Sequence, residues 1–146
     1  MATHKRGSAK KSGPTAVLLV RHGWTATTGS VLPGRAPGLH LSPEGTAQAG
    51  RAAERIAPLS PAAVYASPME RTRETAAPIA RASGNRDRTA RGLIECDFGE
   101  WTGTKLATLR RKAEGKSVQD SPSVFRFPGG ESFAELQQRI WDQLEE

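Results

Sequence analysis

Two short stretches carry groups suited to handling phosphate. The apolar run Ala16-Val17-Leu18-Leu19-Val20 leads straight into Arg21-His22-Gly23, and Ser67-Pro68-Met69-Glu70 leads into Arg71. The planar fork of arginine matches phosphate oxygens and stays charged, and the first turn of a helix adds its own preference for anions. A neutral imidazole set between two such arginines can attack phosphorus and carry the phosphoryl group as a phosphohistidine. The leaving alkoxide then needs a proton. Glu95, in "LIECDFGEWTG", is the candidate acid, with Asp97 and Glu100 as nearby alternatives.

These residues need elements to hold them. Val17 to Val20 reads as a short strand buried on both faces of a parallel sheet. The stretch "TGSVLPGRAPGLHLSPEG" reads as a loop, and "VLPGRAPG" within it as a mobile rim that lacks the Gly-Lys-Ser/Thr ending of a P-loop. Ser42-Pro43 marks a helix start, with Ala49, Ala52, Ala53 and Ile56 on one face and Pro58 and Pro61 beyond its end. "AAVYASP" predicts a second strand. Ser67 and Glu70 predict a capping box for a helix to about Ala82, broken or bent near Pro78. "RGLIECDFGEWTG" reads as an extended piece entering a loop, and Thr104 to Lys112 as helical. Ser132 and Glu135 form another capping box, opening a helix with Phe133, Leu136, Ile140 and Leu144 along one stripe bordered by Trp141. Alternating strand and helix patterns give an α/β fold, a mainly parallel sheet with helices on both faces. Strand ends are where such sheets bind ligands.

The 146 residues are 36% hydrophobic and 25% charged, with a net charge of +6. That length suits one domain with a single core. Residues 1–15 read as a basic disordered tail and 16–146 as the folded domain. Lys5, Arg6, Lys10 and Lys11 in the tail account for four of the six net charges, too one-sided to make the fold itself a nucleic-acid binder. No run reaches the roughly 18 apolar residues of a membrane helix. The N-terminus has no apolar signal core, and the single cysteine, Cys96, reads as a packed thiol suited to a reducing, cytoplasmic setting. His40 reads as a surface residue. Trp24 and Trp101 stand near the candidate site, although packing is the usual role of tryptophan.

Four stretches in order, "LLVRHGWT", "LHLSPEGTAQA", "YASPMERTRETA" and "LIECDFGEWTG", resemble the signature segments of the histidine phosphatase superfamily, also called phosphoglycerate mutase-like. "FPGGES" resembles a later loop of the same family. The resemblance implies His22 as nucleophile, Arg21 and Arg71 as phosphate ligands, Glu95 as proton donor, and catalysis with no metal or cofactor on a small phosphorylated substrate. The family's phosphate-contacting Asn falls at Thr28, whose hydroxyl can also donate. The family also carries a second active-site histidine in a later Ser-His-Gly motif. Only His4, His22 and His40 occur here, and neither of the other two matches it. The chain therefore reads as lacking the family's C-terminal strands.

The expected activity is hydrolysis of a small phosphomonoester, with mutase chemistry differing only in what accepts the phosphoryl group. The alternative is a non-catalytic binding or regulatory fragment whose basic tail contacts polyanions. A Rossmann-type nucleotide binder fails because no G-x-G-x-x-G follows the first strand.

Overall fold

The sheet is a parallel pair of short strands joined by a helix. The computed structural model describes residues 14–145. The basic tail expected over 1–15 falls almost wholly outside the described residues, and His4 lies outside them.

Strand β1 (Val64–Ala66) pairs with β2 (Asp87–Thr89) in parallel register, Val64 opposite Asp87 and Ala66 opposite Thr89. Helix α2 (Glu70–Ala82) links them, and α1 (Pro43–Ile56) lies against α2. Small side chains allow that approach: Gly45, Ala49 and Ala53 are buried on α1, and Ala76, Ile79 and Ala80 on α2. Pro43 sits at the start of α1, and Ser42 Oγ accepts from the Gly45 amide at 3.1 Å, as the sequence predicts. Pro78 is accommodated inside α2 without ending it.

Beyond β2 the chain makes two single 3-10 turns, Arg91–Leu93 and Gly99–Trp101, then the short α3 (Leu106–Leu109), α4 (Ala113–Asp120) and α5 (Phe133–Glu145). Cys96, Phe98, Trp101, Leu109 and Phe127 form a buried cluster here, joined by Phe125, Phe133 and Leu136. The rings meet edge-on, Phe98 and Phe127 with centroids 4.8 Å apart and Phe127 and Phe133 at 5.4 Å, the arrangement that ring quadrupoles favour.

The α/β class and the parallel pairing agree with the sequence. Val17 to Val20 do not behave as a buried strand. Their exposures are 60%, 52%, 85% and 46%, and among the described residues no backbone hydrogen bond ties 16–20 to another strand. A strand that is apolar on both faces needs neighbours on both edges, and β1 and β2 pair with each other instead. Ser67 does not cap α2 either: the cap position is Met69, and the Ser67 hydroxyl meets Thr72 Oγ1 at 2.8 Å. The Ser132–Glu135 box does form, with the Ser132 amide donating to Glu135 at 2.9 Å and the Glu135 amide to Ser132 Oγ at 3.2 Å. The helix expected over Thr104 to Lys112 is a single turn, and α4 and β2 lie where no element was predicted. At the far end of α5, Trp141 is 58% and Leu144 46% exposed, so the apolar stripe is covered only over Phe133, Leu136 and Ile140.

Candidate active site

His22 sits at the end of the exposed apolar run, against the first turn of α1. The packing there leaves no room for side chains at two positions. A Cβ on Gly23 would lie 2.4 Å from the Gly45 carbonyl oxygen, and one on Gly45 would lie 2.0 Å from the Trp24 carbonyl oxygen. The Gly23 amide donates to Thr75 Oγ1 at 3.1 Å, and that hydroxyl donates to the Arg71 carbonyl at 2.7 Å, so α2 fixes the backbone beside His22. Gly23→Ala must push one backbone away from another, a cost of about 1–3 kcal/mol for overpacking. A clear fall in melting temperature is the expected result, and an unchanged one would show that the contact yields easily.

His22 is half-buried. Its Nδ1 lies 2.7 Å from the Gly23 carbonyl oxygen. A carbonyl can only accept, so Nδ1 carries the proton and Nε2 of the neutral ring keeps its lone pair. Burial lowers the His22 pKa from 6.5; the Gly23 bond pulls it up, the Arg71 and Arg21 charges pull it down further, and Glu95 opposes them. The neutral, nucleophilic ring is therefore the form present at pH 7.

Arg21, His22, Gly23, Trp24, Thr28 and Gln48 line a cavity of about 120 Å³. Thr28 Oγ1 accepts from the Thr25 amide at 2.9 Å and lies 3.0 Å from Thr25 Oγ1, which holds its hydroxyl on the turn after the histidine. Trp24, 57% exposed, borders the cavity, whereas Trp101, 5% exposed, belongs to the aromatic cluster.

Arg71 approaches from α2. It is 1% exposed; its Nη2 donates to the Gly34 carbonyl at 3.0 Å and lies 3.8 Å from Glu95 Oε2. Its Nε and Nη1 are buried without a hydrogen-bond partner. Buried donors are nearly always satisfied, so two orphans on one guanidinium mark a place for an acceptor. Glu95 is bound through Oε1 by the Cys96 amide at 2.9 Å. Of its rivals, Asp97 accepts from the Gly99 amide at 3.0 Å and faces Arg35 at 3.6 Å, and Glu100 is exposed. Arg21, His22 and Thr28 thus share one cavity wall, while Arg71 and Glu95 form a pair whose charges reach His22.

The loop read as a mobile rim is tied down on both sides. Besides the Arg71–Gly34 bond, Arg35 Nε donates to the Glu95 carbonyl at 2.7 Å, the Gly38 amide to Glu70 at 3.0 Å and the Leu41 amide to Glu74 at 2.8 Å. His40 is exposed and pairs with Glu74, which raises its pKa. Cys96 is buried, and loss of solvent pushes its thiol up to about 11, with the Glu131 and Glu95 charges adding to that, so the packed, unreactive reading holds. Sequence reasoning singled out none of Thr75, Gln48, Arg35 and Glu131, although each lies inside a quoted stretch, and missed Arg139 altogether. Gln48 Oε1 accepts from the Trp24 amide at 2.9 Å.

The family model of the histidine phosphatase superfamily (branch 1) matches residues 17–146. The chain belongs to that superfamily. Relatives of this chain include an uncharacterized protein of Mycobacterium tuberculosis, 46% identical over 89% of this chain and 53% of its own length. Phosphoserine phosphatase 1 of Hydrogenobacter thermophilus is 31% identical over 89% of this chain and 63% of its own. Among solved structures, mycobacterial glucosyl-3-phosphoglycerate phosphatase superposes with a TM-score of 0.77 at 27% identity, covering 85% of this chain and 59% of that one. The chain thus spans between half and two thirds of the length of these relatives. Among the described residues no helix is long and apolar enough to cross a membrane.

Proposed function

We propose that this chain carries the phosphoryl-accepting half of a phosphatase reaction on a small phosphomonoester. The observation that carries the reading is the buried Arg71 guanidinium with two unused donors, its charge felt by a histidine whose Nε2 lone pair is free. Arg71, Arg21 and the Thr28 hydroxyl bind the phosphate oxygens. Nε2 of His22 forms a bond to phosphorus as the bond to the leaving oxygen breaks, and Glu95, in its acid form, gives that oxygen its proton. Water then attacks the phosphohistidine, Glu95 takes a proton from it, and the P–N bond breaks to restore the imidazole and release phosphate. Stabilising the charge on the equatorial oxygens is most of the work in such transfers, which suits a cluster of fixed arginines. Among the described residues no second histidine stands beside His22, since His40 is engaged with Glu74. Phosphorylation of His22 is therefore the step this chain equips most fully.

Exposure to a radiolabelled phosphomonoester or acetyl phosphate, followed by peptide mapping, tests this. Label that survives alkali, is lost in acid and maps to the tryptic peptide 22–35 is the expected result. No label, or label elsewhere, overturns the reading. The rate of labelling also has a predicted pH dependence. His22 must be neutral to attack, and its pKa lies below 6.5. With acetyl phosphate, whose leaving group needs no proton from Glu95, the rate should hold through neutral pH and then fall about tenfold per unit in acid. A limb centred above 6.5 would contradict the burial argument. Fold stability follows the same sign: because the folded pKa is depressed, the His22 contribution is complete above 6.5 and is lost as pH falls through the lower folded value.

A further inference from the structure

We propose that Glu131 is a positioning residue for the reaction, holding Glu95 in place through two arginine arms, Arg35 and Arg139. The inference rests on the reading of Glu95 as the acid. Glu131 lies just before α5. Its Oε2 forms an ion pair with Arg35 Nη2 at 3.0 Å and accepts from Arg139 Nη2 at 2.9 Å and from the Asp97 amide at 3.0 Å, and its Oε1 accepts from Arg139 Nε at 3.0 Å.

Both arms then reach the same atom. Arg35 Nε donates to the Glu95 carbonyl at 2.7 Å and Arg139 Nη2 lies 3.5 Å from it, while Arg139 Nη1 donates to the carbonyls of Gly92 at 2.7 Å and Ile94 at 2.9 Å. Two guanidiniums converging on one carbonyl repel each other unless a carboxylate lies between them. Glu131 is that carboxylate. Burial alone would raise its pKa, yet the Arg139 bond, the Asp97 amide and the charges of Arg139 and Arg35 hold it below the usual carboxylate range. The clamp fixes the peptide from which the Glu95 side chain extends toward Arg71. It also fixes Arg35, whose neighbour Gly34 accepts from Arg71. One carboxylate thereby joins α5, the rim loop and the acid-bearing segment, and loss of it frees Glu95 to drift away from the leaving oxygen.

A network that merely staples α5 to the fold predicts different results, and Cys96, the one cysteine of the chain, separates the two. Its thiol lies between Glu95 and Asp97, and its reaction with an uncharged maleimide reports opening of that segment. Arg139 lowers the Cys96 pKa, so removing its charge alone slows labelling. Arg139→Gln is nonetheless expected to label at least about tenfold faster, because the segment opens. Slower labelling overturns the proposal.

The second measurement compares phosphoryl transfer to His22 from an alkyl phosphate and from p-nitrophenyl phosphate, whose leaving group needs little protonation. Glu131→Gln should slow the alkyl donor at least about tenfold more than the aryl donor, with Glu95→Gln showing the same pattern. Equal losses in Glu131→Gln beside a selective loss in Glu95→Gln overturn the positioning role alone. Equal losses in both overturn the acid role of Glu95 on which it rests.

Discussion

Arg71→Met is expected to erase the stabilisation that phosphate or vanadate gives this chain while leaving the unliganded fold at least as stable. The two halves of that result come from one geometry. The Arg71 guanidinium is almost fully buried, and two of its nitrogens have no partner. Each unsatisfied buried donor costs about 1–3 kcal/mol, which methionine of similar length removes. Against this stands the loss of the Nη2 bond to the Gly34 carbonyl, a charged hydrogen bond of about 1.5–3 kcal/mol. Glu95, 36% exposed, can turn to water once its partner is gone. The balance is near zero or favourable without ligand. With an anion present the orphaned donors become charge-assisted bonds, and at a hundred times its dissociation constant such a ligand stabilises by about 2.7 kcal/mol. Thermal melts with and without phosphate read both numbers. A variant that keeps the phosphate-dependent shift would show that Arg71 is not an anion ligand, and one that does not fold would show that its buried charge is structural.

His22→Ala should do the converse. Label transfer should vanish, a loss on the order of 10⁴ or more, the scale seen when a covalent nucleophile is removed. Anion binding should persist, because Arg71 and Arg21 remain and one competing half-buried ring is gone. Titration with vanadate separates the two effects. Residual acid-labile label in this variant would assign the phosphoryl group to another residue and refute the role of Nε2.

The candidate site was legible in the sequence to the extent that its groups lie in short motifs at element ends. Arg21, His22 and Thr28 share a cavity, and Arg71 and Glu95 meet, although the two lie 24 residues apart in sequence. Capping chemistry located α1 and α5 because those signals are local, and misled at Ser67, where the hydroxyl found Thr72 instead. The strand expected over Val17 to Val20 failed for a non-local reason: apolar periodicity records what a segment could bury, and not whether neighbours are present to bury it. Arg35, Glu131 and Arg139 were invisible for a related reason. Their spacing in the chain carries no pattern, and only folding brings Arg35 and Arg139 to one carbonyl oxygen and pairs both with Glu131.

The apolar run ahead of His22 also bears on association between molecules. Val17, Leu18, Leu19 and Val20 are exposed, uncharged, rich in β-forming types and unpaired along the backbone, a combination that templates cross-β stacking between molecules. Pro14 and Arg21 flank it as gatekeepers, one unable to donate to a growing ladder and the other repelling its own copies. The segment that leads into His22 is thus also an exposed, unpaired apolar run, and any intermolecular pairing through it would carry His22 along.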